Sequence, residues 1–409
     1  ALAESTHILS RLLASDAAVK LVLEKPDLLL RIIDSASSLP ETLDTTRFLD
    51  FALNKCSCYI HEQDKSPLCA KGWAELLSST AKAFACSRSL LVFELIPVLA
   101  NALEPIDRAD LDAMGIGNMC LEIASSISSS CVWVLRQKSE ATQYADQALV
   151  LYSHLVRLWP DHIFGDSKVV ADSQGQGSPL KKDSELILRL ACIEAQAAVD
   201  TMMICPPVSS NDADAKHSVE TARLRRGWKL PFCAEIISGW LEWISSWLDE
   251  QPESADVNED VIYGLMSEIH KAAQAAVGFM IDWKDRGYSE QEIIESSPGL
   301  VVSVVHMLGR WLATDPKLHQ AAMPVLTITA HGAAIKGYMR PCVSFALETC
   351  GIDEAQFVAD LESRELRHDR KPAHEFASPW VGTVDFDDFA YAVYGLQSDE
   401  EVLRSRQAM

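Results

Sequence analysis

The sequence predicts an all-α fold of stacked helix pairs, and three observations predict it. Apolar residues recur with a period close to 3.6 wherever a period is clear. Alternating Val, Ile and Thr runs bounded by Asn-Gly or Asp-Gly, the marks of strands and hairpins, are missing, while Leu, Ala, Glu and Ser dominate. At 409 residues, 48% hydrophobic and 23% charged, the chain is long enough for a large core and too apolar for disorder.

In chain order the periodic runs are Leu90 to Leu103, Ala148 to Trp159, Leu186 to Met203, Phe232 to Leu248, Val261 to Trp283, Leu300 to Leu312 and Ala322 to Ile335. In the second of these, Leu151, Tyr152, Leu155, Val156, Leu158 and Trp159 form a wide apolar stripe on one helical face. Pro26, Pro97, Pro160, Pro231, Pro298, Pro316 and Pro341 lie in or near the ends of such runs, where a missing N–H is tolerated. Ser289-Glu-Gln-Glu292 reads as a capping box. Such lengths imply roughly 15 to 20 helices, and a single core stops growing beyond about 250 to 300 residues. No long disordered linker divides the chain, so a solenoid is expected rather than two separate helical domains. The lack of a strict sequence period fits an armadillo/HEAT-like α-solenoid better than tetratricopeptide or ankyrin repeats.

This helical-repeat domain is expected over residues 1–361. Two polar, Gly/Pro-rich stretches, about 165–182 and 206–216, read as exposed mobile loops. Residues 362–409 read as a C-terminal tail, partly packed on the solenoid through Trp380, Phe386, Phe389 and Tyr391.

The 58 Asp and Glu against 36 Lys and Arg give a formal net charge of -22, which repels phosphate and anionic lipid and argues against nucleic acid as the main ligand. Even the greasy run 300–312 is interrupted by Ser303, His306 and Arg310, so no transmembrane segment is expected and the protein reads as soluble. The chain opens on Ala1 without a positive leader and an apolar block, which reads as a processed chain or a fragment with no targeting signal. Eleven cysteines without a repeated spacing, several inside apolar runs, point to a reducing compartment, the cytosol.

Cys56, Cys58, His61 and Cys69 offer four soft ligands, but the spacing matches no common zinc module, and residues i and i+2 of a helix point about 200° apart. Cysteines buried in or lying on a helix are the preferred reading, and no metal or other cofactor is expected. Neither a Gly-x-Ser-x-Gly, a catalytic Cys signature nor a His-Glu-x-x-His occurs, and Gly115-Ile-Gly117 lacks the third Gly and the preceding strand of a phosphate cradle. No catalytic residue is assigned and no enzyme is expected. The basic cluster Arg223, Arg225, Arg226, Trp228 and Lys229 is the candidate partner-binding patch, because Arg forks pair with carboxylate or phosphate. Its competing reading is a solvated helix start that neutralises Asp212 and Asp214. Trp240, Trp243 and Trp247 lie on one helical stripe that reads as core first and as a binding groove second. His154, His270, His306 and His331 read as core or edge histidines.

Four apolar blocks resemble the neurochondrin (norbin) family in order and separation. They are Phe93-Glu-Leu-Ile-Pro-Val-Leu99, the run from Leu186 to Val199 with its Leu-Ala-Cys-Ile-Glu centre, the run from Leu265 to Val277, and Val301-Val-Ser-Val-Val-His-Met-Leu-Gly-Arg-Trp-Leu-Ala313. The resemblance covers about Leu91 to Pro316 and is otherwise one of helical, apolar character; animal members continue further at the C-terminus. It implies a cytoplasmic, armadillo-like scaffold without catalytic activity, of a kind known in animals for binding receptor tails and signalling proteins and for promoting neurite outgrowth. The palmitoylated cysteines near that family's N-terminus have no match, since the first Cys here is Cys56. The expected function is a scaffold or adaptor that binds a protein partner, and the charge of -22 calls for a partner with basic segments. The alternative is a chaperone or exchange factor that clasps a GTPase or a newly made subunit.

Overall fold

The structure, a computed structural model, describes residues 10–38, 43–86, 91–136, 142–165, 181–204, 213–250 and 259–285, together with Met307 and Trp311. Among the described residues there are helices and no strand. Residues 166–180 and 205–212 of the two expected loops, the box at Ser289, the periodic run 322–335 and the tail 362–409 lie outside them, while residues 213–216, expected at the end of the second loop, are helical. Internal contacts divide the chain into two compact units, whose described parts are residues 10–165 and 181–311.

The first unit contains α1 (Asp16–Glu24), α2 (Asp27–Ser38), α3 (Leu43–Glu62), α4 (Pro67–Cys86), α5 (Leu91–Leu103), α6 (Arg108–Met114), α7 (Gly117–Arg136), α8 (Thr142–Leu158) and α9 (Pro160–Phe164). Helices α3, α5 and α8 pack side by side in that order, and α4 packs between α1 and α2 on one side and α7 on the other. Contacts of α3 with α4, α4 with α5, and α7 with α8 join the two rows. Each of α3, α4, α5, α7 and α8 thus meets a neighbour in sequence and the equivalent helix of the next pair, an arrangement compatible with a solenoid.

Burial explains why the rows hold. Helix α4 buries Cys69, Trp73, Leu76, Leu77 and Phe84 along one stripe, and the buried Trp73 indole donates to Ser57 Oγ at 2.9 Å across to α3. At Gly72 a β-carbon would stand 1.7 Å from the Leu23 carbonyl oxygen, so α1 lies with its backbone directly against α4. Phe93 stacks on Tyr144 with ring centres 4.3 Å apart, joining α5 to α8, and Asn101 donates to Asp50 at 2.9 Å, joining α5 to α3.

The second unit contains α10 (Lys182–Ile204), α11 (Ala213–Glu250) and α12 (Glu259–Asp285), with α10 packed against both others. Periodicity located these helices well: the runs from Leu186, Phe232 and Val261 all fall inside them. The prolines are divided in role. Pro160 opens α9 at its first turn, where its N–H has no partner to lose. Pro97 and Pro231 instead sit inside α5 and α11. A proline costs a helix interior about 3 kcal/mol, and here buried neighbours on both sides, Leu95, Ile96, Val98 and Leu99 in one helix and Leu230, Phe232 and Cys233 in the other, offset it. No helix among the described residues is long and apolar enough to cross a membrane.

Candidate functional site

A dense polar assembly lies where the α5–α6 turn meets α3 and α8. Helix α5 ends at Leu103 and leaves carbonyl groups without intrahelical partners. The Arg157 guanidinium of α8 reaches across and donates to the carbonyl oxygens of Leu103, Glu104 and Ile106 at 3.0, 2.9 and 3.2 Å. It caps the helix from another element. The half-buried Glu104 carboxyl is lifted to about 7 by its burial, against the pull of Arg157. His154, one turn before Arg157, is held well below the usual imidazole range by burial and then by that guanidinium.

Three residues beyond Glu104, at Asp107, the chain enters α6 through a reciprocal capping box. Asp110 N–H donates to Asp107 Oδ1 at 2.7 Å, and Asp107 N–H donates to Asp110 Oδ2 at 3.0 Å. Asp110 is fully buried. His61, at the end of α3, shares a 2.7 Å hydrogen bond with its Oδ2, and the Lys65 ammonium pairs with Oδ1. Burial alone would raise this carboxyl, but Lys65, the Asp107 N–H and His61 together outweigh it and hold it below its ordinary value. Ligand atoms of His61, Asp107 and Asp110 lie within 4.8 Å of one another, the spacing of a cation site. The hydrogen bonds and ion pair just described already engage them, and they close the joint between α3 and α6.

The soft ligands considered for zinc go separate ways. Cys56 and Cys69 are buried, and burial raises both thiols, Cys56 to about 12. Cys58 donates to Asn54 Oδ1 at 3.2 Å, while His61 turns to Asp110. Gly115 ends α6 with φ of 64°, a left-handed cap suited to glycine, and Gly117 starts α7, so this Gly-x-Gly serves a helix junction. Ser125 and His162 form an exposed pair at 2.7 Å, and the neighbouring Asp161 is paired with Arg108 at 3.0 Å.

Of the basic patch, Arg223, Arg225, Arg226 and Trp228 lie on the backbone of α11, and their side chains are outside the described residues. Lys229 departs from the expected exposed patch. It is only 3% exposed and pairs with Glu194 of α10, so it fastens α11 to α10 and is not presented to a partner. Trp240 and Trp243 are buried with Leu241 and Ile244, as a core stripe requires, and Trp247 stacks on Trp243 with centres 6.2 Å apart. His270 meets Trp311 edge-on at 5.2 Å; His306 and His331 lie outside the described residues.

The fold and these polar joints define an all-helical class of protein whose described charged clusters fasten helix to helix. Comparison with protein families matches residues 42–327, more than half of the chain, to Neurochondrin. The chain belongs to the neurochondrin family. The match begins at the start of α3, well before the Leu91 boundary that the apolar blocks suggested, and so includes His61, Asp107, Asp110 and Arg157. Comparison with curated proteins gives no match.

Proposed function

We propose that this chain is a non-enzymatic cytoplasmic scaffold that binds a protein partner with basic segments on the surface of its helical body. Membership of the neurochondrin family over residues 42–327 carries this reading. The formal charge of -22 supports it, because an acidic surface attracts a basic partner and repels phosphate backbones. The structural use of Asp110, His61, Lys229 and Arg157 agrees with a body whose function lies in surface shape and charge.

The test is affinity purification of the tagged full chain, identification of co-purifying proteins by mass spectrometry, and reconstitution from purified components. A stoichiometric complex that assembles from the two purified proteins is the expected result. An Arg225→Glu, Arg226→Glu double variant run in parallel decides whether the basic stretch of α11 takes part. If the partner is a GTPase whose nucleotide release accelerates on binding, the exchange-factor alternative replaces the scaffold.

A further inference from the structure

Helix α11 runs from Ala213 to Glu250, yet its two halves are built differently. From Lys229 onward it is core: Leu230, Phe232, Cys233, Ile236, Ile237 and Trp240 are all buried. The sequence of residues 213–226 holds two large apolar side chains, Val219 and Leu224, against six charged ones, too few for an apolar stripe. A weak point in the backbone lies between the halves. Pro231 has no N–H to give to the Gly227 carbonyl one turn back, and its ring crowds that carbonyl. Gly227 is itself the poorest helix former after proline. Two residues beyond it, Lys229 is buried and paired with Glu194, which pins the junction to α10.

A polar helix shorter than about 15 residues is marginal in water, so the outer half keeps its helix by continuing from the inner one. The continuation passes through the two residues least able to transmit it. We propose that residues 227–231 are a built-in joint, and that the arm 213–226 opens and refolds as a unit of its own while the inner half stays docked through its buried face and the Lys229–Glu194 pair. The arm carries Arg223, Arg225 and Arg226 in its sequence, so the joint governs how long that basic run is held in a helix. This conformational device goes beyond the scaffold reading and holds whichever partner the chain binds.

Native-state hydrogen exchange on the purified full chain, read by mass spectrometry over peptides within 213–226 and 232–248, tests this. The expected result is a step: the arm exchanges at least about a hundredfold faster than the inner half, with the break at 227–231. Two variants address the joint itself. Pro231→Ala restores an N–H for the Gly227 carbonyl and is expected to slow exchange of the arm at least about tenfold. Gly227→Ala leaves the proline in place and is expected to slow it about threefold. A variant that is less stable or fails to fold exchanges faster, so slowing of the arm has no such trivial cause. Equal rates in the two halves, a rate that climbs smoothly toward Ala213 as simple fraying does, or no slowing of the arm in either variant overturns the joint.

Discussion

Glu104 and Asp110 are six residues apart and respond to pH in opposite directions. Glu104 is raised by burial from its ordinary 4.5 to about 7, so the folded chain binds this proton more tightly than the unfolded one. Its stabilising contribution is complete below about pH 4.5 and is lost as the pH climbs to about 7. Glu104→Gln removes that slope, and at pH 8 the variant is more stable than the native chain by about 1–2 kcal/mol, after discounting a full-burial value for partial exposure. Urea titrations at pH 5 and pH 8 measure this. Asp110 is lowered, so its contribution is present above the ordinary carboxylate range and is lost on acidification. Asp110→Ala strips partners from Lys65, His61 and the Asp107 N–H together, and costs about 2–4 kcal/mol in the same titration at pH 7.

At the scale of elements, Gly72 is a point where the backbones of α1 and α4 meet directly. Gly72→Ala drives a methyl group into the Leu23 carbonyl, which only separation of the two helices relieves. The expected loss is about 2–4 kcal/mol, read as a lowered urea midpoint, with hydrogen exchange accelerated first in α1. Helices α10 and α12 were legible in the sequence, because a single buried stripe imposes a 3.6 period on each, and α8 was legible although it is buried at every position from Ala148 to Val156. Pro97 and Pro231 were read as lying in or near run ends because local preference opposes proline in a helix, whereas flanking buried residues override that preference. The polar joint left no periodic trace: His61 and Asp110 are 49 residues apart, and Arg157 and Leu103 are 54 apart. One part of it was readable. Asp107-Arg-Ala-Asp110 ahead of Leu111 is a capping box written with Asp in place of Ser or Thr and of Glu. The inward turn of Lys229 had no such signal, since the same basic run describes a solvated face and a buried pair equally well.

For the whole molecule, charge governs encounter. A chain of formal charge -22 that binds a basic partner gains association rate from long-range attraction, and that attraction is screened within about 10 Å at 0.1 M salt. Raising NaCl from about 50 to about 300 mM is expected to slow association of the reconstituted complex at least tenfold and to change dissociation far less. Stopped-flow mixing at the two salt levels checks this, and equal rates point to a partner held by apolar contact alone. Family membership over 42–327 was visible in four apolar blocks, yet the extension back to residue 42 was not, because α3 and α4 mix buried Cys, Ser and Thr into their inner faces.

The buried thiols turn the molecule into its own opening clock. Cys56, Cys120 and Cys192 are pushed up to about 12, 11 and 12 by burial, and Cys131 is also raised by full burial, so almost no reactive thiolate exists while the helices stay closed. Cys86, exposed at the end of α4, is expected to take up a maleimide first. Every later label on a buried site marks an opening event. Peptide mapping then assigns Cys120 and Cys131 to breathing of the first unit and Cys192 to breathing of the second, so alkylation in native buffer times each unit separately with no denaturant.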